Sequence, residues 1–326
     1  MAAISPTSPR WMAALRKAFG DRVQERVVLA NYTTARLGGP ADAMLVANTA
    51  DELAATVAGL WALEIPFFLL GSGANILVSD SGFRGVVVLN RARNIKIDTH
   101  HNPPTVWAEA GANLGTIARQ CALRGLSGLE WAATIPGTLG GAVYGNAGAH
   151  GADMHACLVL ADILHRDEGR QEWTLEQMDY AYRSSALKRQ PGQAVILAAR
   201  LMLSTGDAET IKASMDSFSE HRRRTQPPGA SLGSMFKNPQ GDYAGRLIEA
   251  AGLKGHRSGD AEISPVHANF FINHGKASAA DIYDLIQTAR QKVLETSGVA
   301  LELEIELVGD WQPQKPSGAN LRKTGR

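Results

Sequence analysis

Ile135-Pro136-Gly137-Thr138-Leu139-Gly140-Gly141-Ala142-Val143-Tyr144-Gly145-Asn146-Ala147-Gly148-Ala149-His150-Gly151 is dense in glycine. Glycine loses more backbone freedom on folding than any other residue, so such density is kept where the chain turns sharply or must approach a ligand closely. The interleaved apolar residues argue for a packed segment, not a flexible loop. A second cluster, Gly71-Ser72-Gly73-Ala74-Asn75-Ile76, follows directly on the apolar run Phe67-Phe68-Leu69-Leu70. Backbone N–H groups at such a strand end can cradle a pyrophosphate. The segment is not the Rossmann fingerprint, which would need Gly at Ile76, and no Lys-Ser/Thr pair follows to make a Walker A loop. Alone it fits a phosphate site and an ordinary strand-to-loop turn equally well. Two such stretches together suggest a dinucleotide cradle outside the Rossmann class.

Working outward, the chain alternates helical and strand-like signals. Thr49 and Glu52 form a capping box ahead of Leu53, Val57 and Leu60 at helical spacing. Pro66 ends that helix, residues 67–70 read as a buried strand, and Gly85 opens another at 86–89. Residues 158–164 and 195–203 are further strand candidates. After Leu203 a helix is expected over 208–224, with Ile211, Met215 and Phe218 on one face. It ends in Arg222-Arg223-Arg224 and then Thr225-Gln226-Pro227-Pro228-Gly229, a composition that marks a domain boundary. Beyond it, Ser278 and Asp281 cap a helix whose buried face is Ile282, Leu285, Ile286, Ala289 and Val293. Residues 301–307 alternate strictly between apolar and Glu, which predicts a strand with one carboxylate face.

Length and composition bound the rest. The 326 residues suggest two or three domains, and a net charge of +1 gives no electrostatic case for nucleic acid or an anionic membrane as partner. Cys121 and Cys157 are far apart with no CxxC, so no zinc or thioredoxin-like site is indicated and both are expected to be buried thiols. His150 and His155 do not match a zinc helix either. No signal core and no membrane-length apolar run is legible, so a cytoplasmic protein without membrane insertion is expected. The polar stretch 312–326 is expected to be a disordered tail. Taken alone, Arg183 in Tyr180-Ala181-Tyr182-Arg183-Ser184-Ser185 reads as a structural arginine. Ser234 in Gly233-Ser234-Met235-Phe236-Lys237-Asn238-Pro239 reads as a turn or cap serine. At least two of Glu302, Glu304 and Glu306 read as a solvated face.

With these segments in order, the chain resembles the UDP-N-acetylenolpyruvoylglucosamine reductase family from about Asn31 to Gly309. The shared segments are Tyr32-Thr33-Thr34 through Gly38-Gly39-Pro40, Gly71 to Val78, Gly82-Phe83-Arg84-Gly85, Ile135 to Gly151, Tyr182-Arg183-x-Ser185, Arg222-Arg223 before Gln226-Pro227, Gly233 to Pro239, and Leu301 to Glu304. The segments 250–255 and 264–270 are similar to the family's second type, which lacks a tyrosine-bearing substrate loop.

The resemblance implies an α+β protein with a vanillyl-alcohol-oxidase-type (PCMH-like) FAD-binding domain of two subdomains, 21–90 and 91–206. An extension (1–20) precedes it, and a smaller α+β substrate-binding domain (207–311) includes the final strand. FAD is the implied cofactor, NADPH the hydride donor, and a UDP-sugar enolpyruvate the substrate. Oligomeric state is left open. The implied cofactor positions are Gly71, Ser72, Gly73, Ala74, Asn75, Ile76, Pro136, Gly137, Thr138, Gly140, Gly141, Asn146, Gly148 and Ala149. Arg183 falls at the position of the arginine that bonds the substrate carboxylate, Ser234 at the general acid, and Glu304 at the catalytic glutamate. Lys237, Asn238, His267 and Asn269 are implied to bind substrate, with Lys237 helping to polarise the site. Two alternatives are another flavin oxidoreductase of the same fold and a nucleotide-sugar-binding protein without turnover.

Overall fold

The computed structural model describes residues 9–311, so the expectations for the first residues of the extension and for the tail at 312–326 lie outside the described residues. Three units are present, each with its own sheet. In the first, the strand order is Gln24–Val28, Pro40–Ala47, Phe83–Asn90, Phe67–Leu70. The last three run parallel, and the apolar runs at 67–70 and 86–89 pair residue for residue. Parallel strands buried on both faces read as continuous apolar runs, which is why these were legible. The helix Ala50–Ala62 buries Leu53, Val57 and Leu60 against this sheet. Its expected capping box is half formed. Thr49 accepts from Glu52 N–H, but the Glu52 carboxylate reaches past Thr49 to the N–H of Asn48 at 2.8 Å.

The extension expected at 1–20 is partly core. The helix Met12–Phe19 sends Met12 and Leu15 into the first unit.

The second unit is a five-stranded antiparallel sheet, ordered Gly169–Thr174, Leu158–His165, Ala194–Met202, Thr105–Glu109, Ile95–Asp98. Both apolar runs expected as strands lie side by side within it. The helices Leu114–Ala122 and Leu139–Gly145 close one face, and both cysteines are buried and free there. Burial pushes both thiols up to about 12.

The helix Ala208–Thr225 packs Met215 and Phe218 on this second core, so the third unit starts after it and not at 207. That unit has the strand order Ala230–Ser234, Phe270–Asn273, Ala261–Ile263, Arg257–Ser258, backed by the helices Ala244–Ala250 and Ala279–Ser297. The Ser278–Asp281 capping box forms in full, and the five predicted face residues of the long helix are all buried.

The strand expected over residues 301–307 is split. Leu303 makes a single bridge to Phe236 in the third unit, the chain bends at Glu304 and Ile305, and Glu306–Val308 then pairs in parallel with Ile76–Val78 of the first unit. Alternation keeps Leu301 and Ile305 buried, but the segment changes pairing partner midway, so no continuous ladder can form. Among the described residues, no helix is long and apolar enough to cross a membrane.

Candidate active site

Between the first and second units lies a cleft of about 620 Å³. The loop that begins at Gly71 enters it from the end of Phe67–Leu70, and Thr138 enters from the opposite wall as the N-cap of Leu139–Gly145. The two segments touch: a Cβ on Gly71 would sit 2.7 Å from Thr138 Oγ1. Gly73 turns the loop at φ +64, where a Cβ would fall 2.2 Å from the carbonyl oxygen of Tyr32. Only glycine fits both constraints.

Of the positions expected to hold the cofactor, Gly71, Ser72 and Thr138 line this cleft. Ile76 is buried in a strand, and Gly140 packs its backbone on Ala110. Asn146 spends its amide on Asp153, Ala181 and the His155 N–H. Gly148 and Ala149 pair with residues 152–153. Pro136, Gly137, Gly141 and Ala74 flank the cleft segments without lining the cavity.

Sequence reasoning missed Asn113, Thr116, Arg91 and Arg93 on the cleft wall. The two arginines follow the strand Phe83–Asn90 as Arg-Ala-Arg, a signal visible but unattached to any motif. They make no ion pair among the described residues. A cleft of this size, with hydroxyl and amide groups and two uncommitted guanidiniums, fits a dinucleotide carrying a dianionic pyrophosphate such as FAD.

Where the loop that begins at Gly71 reaches Asn75, all three units meet at Glu304. Its N–H donates to Met235 O at 3.0 Å, in the third unit next to Ser234. Its carbonyl accepts from Asn75 Nδ2 at 3.1 Å, in the first unit. Its carboxylate accepts from Arg183 Nε at 2.8 Å, in the second. Asn75, expected on the cofactor, is thus turned toward the carboxylate segment, and its own carbonyl accepts from Glu306 N–H at 3.0 Å.

Arg183 is held by its surroundings. Its Nη2 donates to Gly148 O at 2.8 Å and its Nη1 to Asn146 O at 3.4 Å, so the distal part of the glycine-rich segment grips the guanidinium. The residue sits at φ +55, an uncommon conformation for a residue other than glycine and one that concentrates at functional sites.

The three carboxylates, of which at least two were expected to be merely solvated, each meet a cation: Glu302 meets Lys237, Glu304 meets Arg183 and Glu306 meets Lys188. Burial, and after it the Glu306 charge, push the Tyr144 phenol above its ordinary 10.

The expected substrate residues divide. Lys237 lines a hollow of about 250 Å³ with Asn238, Tyr182 and Glu302, so its ammonium serves Glu302 and not Glu304. Asn238 Oδ1 accepts from Ala244 N–H at 3.1 Å and starts the helix Ala244–Ala250. Asn269 is 2% exposed and spends both amide atoms on the backbone of Phe236, at 2.9 and 2.8 Å. It holds the loop after Ser234. His267 is half-buried against Phe270, with burial depressing its basicity, and its Nδ1 accepts from Asn269 N–H at 3.2 Å. Ser234 ends its strand half-buried, with no side-chain hydrogen bond among the described residues.

Residues 41–174 match the FAD binding domain family, and residues 225–308 match the family described as UDP-N-acetylenolpyruvoylglucosamine reductase, C-terminal domain. The UDP-N-acetylenolpyruvoylglucosamine reductase of Chloroflexus aggregans is 44% identical over 86% of this chain and 95% of its own length. That of Bacillus subtilis is 42% identical over 86% of this chain and 92% of its own. The crystal structure of the UDP-N-acetylenolpyruvylglucosamine reductase from Thermus caldophilus superposes with a TM-score of 0.75 at 36% identity, covering 88% of this chain and 99% of that one. With a cofactor cleft, an Arg–Glu pair where three units meet, and near-complete coverage at this identity, the chain belongs to the UDP-N-acetylenolpyruvoylglucosamine reductase family.

Proposed function

We propose that this chain reduces UDP-N-acetylglucosamine enolpyruvate to UDP-N-acetylmuramate with NADPH, a cytoplasmic step of peptidoglycan synthesis that supports cell shape and division. The observation that carries the proposal is the Arg183–Glu304 contact of 2.8 Å, next to the Ser234 strand end and tied to Asn75 of the loop that enters the cleft. FAD, when bound, supplies the hydride chemistry between NADPH and the methylene carbon of the substrate's C=C bond.

The chain's own task is charge and proton management. Hydride addition leaves negative charge on the adjacent carbon, delocalised into the substrate carboxylate. Arg183 meets that charge. Three of its five N–H groups are engaged by Glu304, Asn146 and Gly148, which fixes the guanidinium plane and leaves two for a carboxylate. A substrate carboxylate on those two N–H groups shares the cation with Glu304 and so loosens the Arg183–Glu304 pair. Lys could not hold two backbone carbonyls and a carboxylate in one plane. Ser234 donates the proton to the α-carbon, a role supported by its uncommitted hydroxyl at the junction. Arg91 and Arg93 would hold the cofactor's phosphates, with Gly71, Ser72 and Thr138 shaping the wall.

The test is NADPH absorbance with and without UDP-N-acetylglucosamine enolpyruvate, in wild type and Ser234→Ala. Substrate-dependent oxidation is expected in wild type, and Ser234→Ala should lose about 100–10,000-fold in turnover while flavin reduction by NADPH is spared. NADPH oxidation unaffected by substrate would sink the proposal in favour of another flavin oxidoreductase. UDP-sugar binding without any oxidation would favour a binding protein.

A further inference from the structure

Two residues beyond Glu304, a second carboxylate meets a second cation, from the short helix that follows the Arg183 turn. Lys188 Nζ lies 3.4 Å from Glu306 Oε1, and its side chain is only 19% exposed. The turn at 181–184 runs into the short helix Ala186–Arg189, capped by Ser185. Ser185 Oγ accepts from Lys188 N–H at 3.1 Å and donates to Tyr144 O at 2.6 Å, which locks the Lys188 backbone to the glycine-rich segment. Glu306 is fixed from the other side, since its N–H donates to Asn75 O and its strand pairs with Ile76–Val78. Arg183–Glu304 and Lys188–Glu306 are therefore two neighbouring staples between one turn with its following helix and one extended segment. Among the described residues, they are the ion pairs that join the two.

We infer that Lys188 and Glu306 form a positioning pair that keeps the Arg183 turn docked on the Glu304 segment while a substrate carboxylate occupies Arg183. The inference rests on the role proposed for Arg183 above. When a substrate carboxylate takes the free N–H groups of Arg183, it shares the cation with Glu304 and the first staple weakens. The second lies outside that competition, because Lys188 faces Glu306 and not the Arg183 fork. Its partial burial protects it from ionic screening. The pair thus matters when substrate is bound and not while NADPH reduces the flavin.

The experiment compares FAD-loaded wild type, Lys188→Glu, Glu306→Lys and the double swap in two anaerobic half-reactions. One is flavin reduction by NADPH, and the other is reoxidation of reduced flavin by UDP-N-acetylglucosamine enolpyruvate. Each single reversal is expected to slow reoxidation about tenfold or more, and the swap to recover to within about threefold, with reduction within about twofold of wild type throughout. Should the reversals fail to take up FAD, Lys188→Met and Glu306→Gln replace them, with an expected slowing of reoxidation of about three- to tenfold. Neutral variants that reoxidise at the wild-type rate would overturn the inference. So would equal slowing of both half-reactions, or a double swap as slow as the single reversals. If wild-type reduced flavin is not reoxidised by the enolpyruvyl substrate, the proposed function fails, and the wild type alone reveals it.

Discussion

Replacing Glu109 with Gln should loosen the cofactor cleft by cutting a tie between its two walls. Glu109 is 3% exposed, and its two oxygens accept from Ala50 N–H in the first unit and Asn94 N–H in the second, each at 2.8 Å. A hydrogen bond to a charged acceptor contributes about 1.5–3 kcal/mol, and a buried N–H left unpaired costs about 1–3 kcal/mol. Gln keeps one oxygen, so one bond survives in neutral form, and it turns an NH₂ group toward the other N–H. The sum is a loss of about 2–4 kcal/mol. For a protein of this length that corresponds to roughly 4–10 °C in melting temperature. The assay is thermal unfolding of the FAD-saturated protein at pH 7, with Glu109→Ala as a companion that orphans both N–H groups and should melt at least as low. Weaker FAD binding should accompany the shift, because the same residue fixes both cleft walls. A Glu109→Gln variant melting within about 1 °C of wild type would refute the reasoning.

Other consequences are local. Gly71→Ala puts a Cβ 2.7 Å from Thr138 Oγ1 and should weaken FAD binding about tenfold, read by flavin fluorescence, with little change in secondary structure. Replacing both Arg91 and Arg93 with Gln should lower FAD affinity about tenfold and flatten its salt dependence, while riboflavin binding stays as in wild type. The His267 imidazole is held below its ordinary 6.5 chiefly by burial, so near pH 6 the folded state binds fewer protons than the unfolded one. Its contribution to stability is full above pH 6.5 and is lost as pH falls, so His267→Asn should show a shallower stability loss than wild type between about pH 7 and 5 in urea titrations.

What could be read from the residues was what local chemistry specifies. The Ser278–Asp281 cap lies within one helical turn and formed as written, and the strands at 67–70 and 86–89 were visible as uninterrupted apolar runs. Residues 301–307 misled because strict alternation reports which side is buried but not which strand is the partner. There the partner changes from Phe236 to Ile76–Val78. The polar residues misled for the same reason. An amide can serve ligand or backbone, and only the tertiary fold shows that Asn269 is spent on Phe236 and Asn75 on Glu304. Arg183 and Glu304 lie 121 positions apart, and nothing in spacing or periodicity joins them; family resemblance alone pointed to the pair. Lys188 and Glu306 escaped because each looks like an ordinary surface charge until the turn and the last strand are brought together.

The most direct test of the central claim is a single turnover. The FAD-loaded protein is reduced with one equivalent of NADPH under anaerobic conditions, freed of nicotinamide, and mixed with UDP-N-acetylglucosamine enolpyruvate while flavin absorbance is followed. Stoichiometric return of the oxidised spectrum, with UDP-N-acetylmuramate as the product, is the predicted result. A flavin that stays reduced with the sugar nucleotide bound beside it would contradict the account.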